Sequence, residues 1–265
     1  MERIMIDYHI HTNISADCDV PMARMVKAAH DAGLKEICIT EHIDLNISEG
    51  PPFLVDFDAY NAAFEAVKSA YPDMTIRQGI EAGLDIGMND RMSELLASQP
   101  LDYVIGSQHV VFGFDPFFEE VWSRYTQKEL FEEYLRASNE TAAFCDYDVM
   151  GHIGYISKFC PHEDKLLRYS DYTDMIDTLL KTLIDKGKGL EVNTNGLYMT
   201  PSTMPETAII RRYLELGGEI LTVGSDAHYE SVVGHAVDET LQMLKSIGFK
   251  YVCAFNKRVP LFLPI

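Results

Sequence analysis

Basic residues are scarce in this chain. Its 265 residues include 22 lysines and arginines against 41 aspartates and glutamates, a formal charge of −19. Phosphate backbones are gripped by basic faces, so this balance argues against long nucleic acid as the main partner. It leaves room for a small anion, because bound cations can reverse the sign locally. Long apolar runs are missing as well. None approaches the roughly 20 residues that span a bilayer, so no membrane association is expected. A strand-like run begins almost at the first residue, which leaves no space for a signal peptide. Paired cysteines are also absent. Cys18, Cys38, Cys145, Cys160 and Cys253 are odd in number, widely spaced and form no C-x-x-C. Reduced thiols in a cytoplasmic protein are the expectation.

What the sequence does contain is a core and a rhythm. It is 47% hydrophobic, nothing in it reads as disordered, and no shift in composition marks a boundary. One domain over residues 1–265 is expected. Short apolar runs at 4–9, 36–40, 75–80, 102–107, 147–151, 189–193 and 219–224 predict strands. Helical patterns fall near 22–32, 57–70, 88–98, 127–144, 171–186, 203–216 and 235–247. Such alternation implies an α/β protein with a parallel sheet under covering helices. The segments 44–56 and 112–126 are aromatic or proline-rich, and are candidate lids or substrate walls. Surface loops packed on their own aromatics are the plainer reading. The tail 249–265 is expected to cover the barrel's edge.

The polar residues decide between an open and a closed sheet. His9 and His11, His42, Glu81, His109, His152, Asn193, and Asp226 with His228 follow the seven strands in turn. An open sheet binds at one switch point, whereas a closed barrel gathers every strand end at one face. A seven-stranded barrel is therefore expected, with its site at the C-terminal ends of the strands. His9 and His11 are two residues apart and so face the same way on a strand. A lone H-x-H is weak evidence, but Asp226-x-His228 repeats the pattern. Histidines and carboxylates of this kind suit zinc, or manganese or iron where oxygen ligands are more numerous. Their number exceeds the needs of one ion, so two or three divalent metals are expected. His30, His162 and His235 read as surface or capping residues.

These residues resemble the polymerase-and-histidinol-phosphatase (PHP) superfamily, and most closely its histidinol-phosphatase branch. The resemblance rests on D-x-H-x-H-T at 7–12, S-x-D at 15–17, T-E-H at 40–42 and G-I-E at 79–81. It continues through G-S-x-H at 106–109, G-H-I-x-Y-I-S at 151–157, E-x-N-T at 191–194 and G-S-D-A-H at 224–228. It covers nearly the whole chain and implies a distorted, TIM-like (β/α)7 barrel. By resemblance, His9, His11, Glu81 and Asp226 hold one metal. Glu81 bridges to a second, completed by His109 and His152, and a third lies among Asp17, His42 and His228. Some relatives carry histidine at the position of Asp17. The implied reaction is hydrolysis of a small phosphomonoester by water activated between the ions, with L-histidinol phosphate, a substrate of histidine biosynthesis, as first candidate. Glu81, Asp226 and His228 are the expected catalytic residues.

The expected substrate contacts are Lys158, Asn193 and Asn195. Two positions depart from the branch. Lys158 stands where arginine is common, which keeps the charge and loses the bidentate fork. Tyr198 stands where the branch carries a further arginine in N-T-S-G-L-R. Other readings stay open: a phosphatase of nucleotides or sugar phosphates, or a nuclease, an amidohydrolase-type deaminase, or a metal-binding module without catalysis. The deaminase family offers a modified lysine at its bridging position, where this chain has Glu81. The surface that would build a homo-oligomer is not legible in the sequence.

Overall fold

The structure, a computed structural model, describes residues 5–46 and 52–265. Its sheet contains seven parallel strands in chain order: β1 (Ile6–Ile10), β2 (Glu36–Ile43), β3 (Thr75–Gly83), β4 (Tyr103–Ser107), β5 (Val149–Met150), β6 (Gly189–Asn193) and β7 (Leu221–Gly224). Nearly every residue in them is buried, as befits strands covered on both faces. The first and last strands meet through a parallel bridge between Ile10 and Ala227. There His11 N–H donates to the Ala227 carbonyl at 3.0 Å. The result is a nearly closed, distorted barrel.

Helices cover the outside: α1 (Met22–Asp31), α2 (Phe57–Ala70), α3 (Asn89–Ala97), α4 (Glu119–Arg124), α5 (Gln127–Phe144), α6 (Thr173–Asp185), α7 (Gly196–Met199), α8 (Thr207–Glu215) and α9 (Val237–Ile247). Local chemistry fixes several starts. Asp56 caps α2 by accepting from the Asp58 and Ala59 N–H groups. Thr126 and Glu129 form a reciprocal capping box at α5. The helices bury one stripe each against the sheet; Tyr60 of α2 also donates to the carbonyls of Ile39 and Gly79.

Several boundaries differ from the sequence-based expectation. β2 and β3 each continue three residues beyond the apolar run, through Glu41-His42-Ile43 and Glu81-Ala82-Gly83. His42 and Glu81, which read as loop, are strand residues whose side chains meet inside the barrel. β5 shrinks to two residues. Ile4, the expected start of the first strand, lies outside the described residues, as do 47–51 of the first candidate lid.

The tail forms a hairpin of β8 (Tyr251–Asn256) and β9 (Val259–Pro264). Lys257 and Arg258 both have positive φ, 51° and 65°, the requirement of a tight two-residue turn. The hairpin covers the barrel at its N-terminal mouth. Phe255 N–H donates to Tyr8 Oη and its ring packs 4.9 Å from Tyr103. Lys257 N–H donates to Asp102, and Arg258 pairs with Asp148 at 2.6 Å. With that end stopped, the opposite end is left for chemistry. The five cysteines are buried and unpaired, and no helix among the described residues is long and apolar enough to cross a membrane.

Candidate metal centre

A β-bulge interrupts the pairing of β1 with β2 between Asp7 and Ile10. Neighbours on a regular strand point to opposite faces. Here Tyr8 reaches Tyr103 and the hairpin plug, while the adjacent His9 reaches Glu81. The bulge lets both side chains enter the barrel, one toward each end.

Glu81 of β3 is the hub. Its Oε1 lies 2.7 Å from His152 Nε2 and 3.2 Å from His109 Nε2. Its Oε2 lies 2.9 Å from His9 Nε2, 3.3 Å from His11 Nε2 and 3.2 Å from His42 Nδ1. One buried carboxylate thus divides five imidazoles into a pair and a trio. Ser107 Oγ donates to Oε1 and steadies it. Asp226 adds a carboxylate oxygen 3.4 Å from His11 Nε2. Its φ of 53° is an uncommon conformation for a non-glycine residue, a strain found preferentially at functional sites. Asp17 lies at the outer rim, 3.4 Å from His42 Nε2 and 3.2 Å from His228 Nε2.

Three sets of donor atoms each fall within 4.8 Å of one another: His9, His11, Glu81 and Asp226; His42, Glu81 and His109; His11, His42 and His228. Among the described residues, His11 Nε2, His42 Nδ1 and His152 Nδ1 are buried with no hydrogen-bond partner. Buried nitrogens are ordinarily satisfied. Two of these three point into the cluster, which suits cations taking up their lone pairs. The donor set is nitrogen and carboxylate oxygen without thiolate, which fits zinc, manganese or iron.

The electrostatics agree. Burial opposes charge on Glu81, but His9 and His42 outweigh it and hold the carboxyl well below its usual range. Burial likewise opposes charge on His9, and Glu191 with Glu81 reverses that, raising it well above the ordinary value. His42 is raised to about 9, against its burial, by Glu81 and Asp44. His11 shifts the other way, lowered by burial and by its neighbours His42 and His228. So dense a set of histidines and carboxylates lends its own positive charge to its own anions, the role a divalent ion would take over.

Two carboxylates behind the cluster escaped sequence reasoning. Glu191 of β6 meets His9 Nδ1 at 2.5 Å and accepts from the His152 N–H at 2.8 Å. Asp44 meets His109 Nδ1 at 2.8 Å. Each fixes a ring so that the other nitrogen faces inward. The available signal for Glu191 was its place in E-x-N-T, two residues before Asn193 on the same strand face. Gly224 leaves the room this needs: a Cβ there would stand 2.3 Å from His9 Cβ and 2.8 Å from Glu191 Oε1. Glu41, by contrast, serves the loop, accepting from Thr12 and Ser15.

The expected substrate contacts are placed differently from one another. Lys158 is largely buried, with Nζ 3.7 Å from Asp226 Oδ2, so it faces the cluster. Asn193 is fully buried and is turned to internal work: its amide donates to Glu191 and accepts from Asn195 N–H. Asn195 donates to the Asp226 carbonyl at 3.3 Å. Tyr198 packs its ring against His235, tilted by 31° at a centroid distance of 4.2 Å. His30 pairs with Asp73 on the surface, and His162 is exposed.

Barrel and cluster together define a class, a hydrolase that works with several divalent metals held at the C-terminal ends of its strands. Comparison with known proteins narrows it. Residues 7–195 match the PHP domain model. The "Probable histidinol-phosphatase" of Clostridium acetobutylicum is 32% identical over 260 residues, 97% of this chain and 98% of that one. The histidinol-phosphatase of Lactococcus lactis is 28% identical, over 95% of this chain and 94% of its own. The crystal structure of the Lactococcus lactis histidinol phosphate phosphatase, solved with zinc, L-histidinol and phosphate, superposes with a TM-score of 0.91 at 27% identity. That match covers 97% of this chain and 98% of that one. The chain belongs to the PHP superfamily, in its histidinol-phosphatase-like branch. Its reaction is the metal-dependent hydrolysis of a small phosphomonoester.

Proposed function

We propose that the substrate is L-histidinol phosphate, cleaved to L-histidinol and phosphate in the cytoplasm. The observation that carries this is the division of Glu81 between two groups of imidazoles, with the Lys158 ammonium set beside Asp226 at the edge of the same cluster. We assign His9, His11, Glu81 and Asp226 to one ion, Glu81, His109 and His152 to a second, and Asp17, His42 and His228 to a third. Bound there, divalent ions supply a water nucleophile at neutral pH and offset charge on the phosphoryl oxygens. The chain's own residues do the rest. Glu81 keeps two groups of ligands in register. Glu191 and Asp44 hold the His9 and His109 rings in the tautomers that ligate. Lys158 offers a point charge to a phosphate oxygen without the geometric fork of arginine. His228 is the least buried histidine of the cluster, beside the more exposed Asp17. The likeness to a relative solved with L-histidinol and phosphate supports the substrate.

Tyr198, packed against His235 where an arginine is common in the branch, favours a second reading in which the phosphomonoester is a different small molecule. A phosphate-release screen over L-histidinol phosphate, nucleotides and sugar phosphates, with manganese, zinc or iron, separates the two. The largest kcat/KM on L-histidinol phosphate is expected. A larger value on any nucleotide or sugar phosphate would transfer the assignment.

A further inference from the structure

One buried carboxylate stands outside the donor sets of the metal centre. Asp7 of β1 is fully buried. Its Oδ1 accepts from the Ser225 N–H at 2.8 Å and from the His9 N–H at 3.3 Å. Its Oδ2 accepts from the Ser225 hydroxyl and, at 2.8 Å, from the Gly234 N–H. Ser225 and Gly234 are the two ends of one loop, and that loop carries Asp226 and His228. A single carboxylate of the first strand therefore closes the loop that follows the last one. The β1 backbone adds a second tie within the loop. Ala227 N–H donates to the His9 carbonyl at 3.3 Å, and the Ala227 carbonyl accepts from the His11 N–H at 3.0 Å. Asp226 lies between the two ties. Its φ of 53° is a strain that persists only where the surroundings over-determine it. On the outside the loop is held loosely. Tyr229 is 68% exposed, and Glu230 meets Arg24 in a pair open to water, which contributes little.

We propose that Asp7 is a positioning residue for metal binding: by clasping both ends of loop 225–234 it presets Asp226 and His228 as ligands. Asp226 then keeps a carboxylate oxygen 3.4 Å from His11 Nε2. Its carbonyl accepts from His228 Nδ1 at 3.0 Å, which leaves His228 Nε2 facing Asp17. Without the clasp, an ion that needs this loop must also order it, and its affinity falls accordingly. An amide cannot replace the carboxylate here. All of Asp7's partners donate hydrogen, whereas asparagine offers one acceptor oxygen and one NH2 group. Whichever way the amide turns, its NH2 faces a backbone N–H, that of Ser225 or that of Gly234. The proposal rests on the assignment of Asp226 and His228 as metal ligands and adds the group that readies them.

The test is zinc binding by the full chain, read as bound zinc per chain and as affinity in competition with a chromogenic chelator. Asp7→Asn is expected to weaken part of the bound zinc by about 10- to 100-fold. The ion at Glu81, His109 and His152, whose ligands come from other strands, keeps its parental affinity. Ser225→Ala removes one donor to Asp7, and a smaller loss of the same zinc is expected; if Asp7→Asn does not fold, this variant gives the answer. In the double variant the losses are less than additive, because both act through one clasp. Asp148→Asn is the structural control. It alters a largely buried carboxylate at the plugged end of the barrel, where Asp148 accepts from the Val104 N–H and from Arg258. Its melting temperature falls and its zinc affinity stays. Parental zinc affinity in both Asp7→Asn and Ser225→Ala would overturn the clasp. So would a uniform loss of all zinc, or an equal loss in Asp148→Asn, since either is a general weakening of the barrel. Asp226→Ala separates the clasp from the ligand assignment. If it loses zinc while Asp7→Asn and Ser225→Ala do not, the clasp fails and the assignment stands. If it keeps parental zinc affinity, the assignment fails and the clasp with it.

Discussion

Glu81 concentrates more of the chemistry than any other side chain, because both of its oxygens face imidazole nitrogens on opposite sides. Removing it leaves those rings without a common anion. Glu81→Ala is expected to lose phosphatase turnover by orders of magnitude and to bind less metal while keeping the far-ultraviolet circular dichroism of the parent; near-parental turnover would remove it from the mechanism. Glu191 acts one step further back, through His9. Glu191→Gln keeps shape but weakens the acceptor for His9 Nδ1, so metal affinity is expected to fall about 10- to 100-fold in competition with a chromogenic chelator. An unchanged affinity would reduce Glu191 to a packing residue. The two glutamates also differ in how they read in the sequence. Glu81 ends a strand run and joins a series of strand-end ligands, so its spacing gives it away. Glu191 lies within a strand, where one buried carboxylate has no periodic signature, and its partner His9 is 182 residues away in the chain. Only folding brings them to 2.5 Å. The same holds for Asp44 and His109.

At the scale of elements, the alternation of strands and helices was legible because helical stripes and short apolar runs have different periods. The ends of β2 and β3 were not, since Glu41, His42 and Glu81 read as loop until their partners across the barrel are known. The bulge in β1 was equally hidden: it aims Tyr8 and His9 toward opposite ends of the interior, and nothing in D-Y-H-I-H announces it. The β8–β9 hairpin, expected to cover the barrel's edge, does so as a plug, because its Phe255 complements Tyr8 and Tyr103 at the mouth. Its contribution is to stability, at the end of the barrel away from the metal ligands. Phe255→Ala is expected to lower unfolding free energy by about 3–5 kcal/mol in chemical denaturation, with kcat under native conditions close to that of the parent. A stable variant with lost turnover would instead couple the plug to the site.

The molecule as a whole is acidic, with −19 formal charges, yet it gathers histidines at one end of its barrel. Those histidines make its stability depend on pH in a definite direction when metal is removed. His42 is raised from 6.5 to about 9, and His9 and His109 shift upward as well. A group raised on folding contributes stability that is full below its unfolded value and is lost as pH rises through its folded value. The chelated protein is therefore expected to lose thermal stability between about pH 6.5 and 9, followed by melting temperature. Metal needs the neutral imidazole, so its binding releases protons and its apparent affinity rises over the same window. A chelated protein whose melting temperature climbs through that range would contradict the ion-pair network. The most direct test is a metal titration of turnover. The chelated enzyme is assayed for phosphate release from L-histidinol phosphate as manganese or zinc is added, with bound metal per chain measured at each point. Turnover should be absent at the start and should reach its plateau only when two to three ions are bound per chain. Full turnover in the chelated enzyme, or a plateau reached with fewer than one ion per chain, would contradict a multinuclear centre built around Glu81.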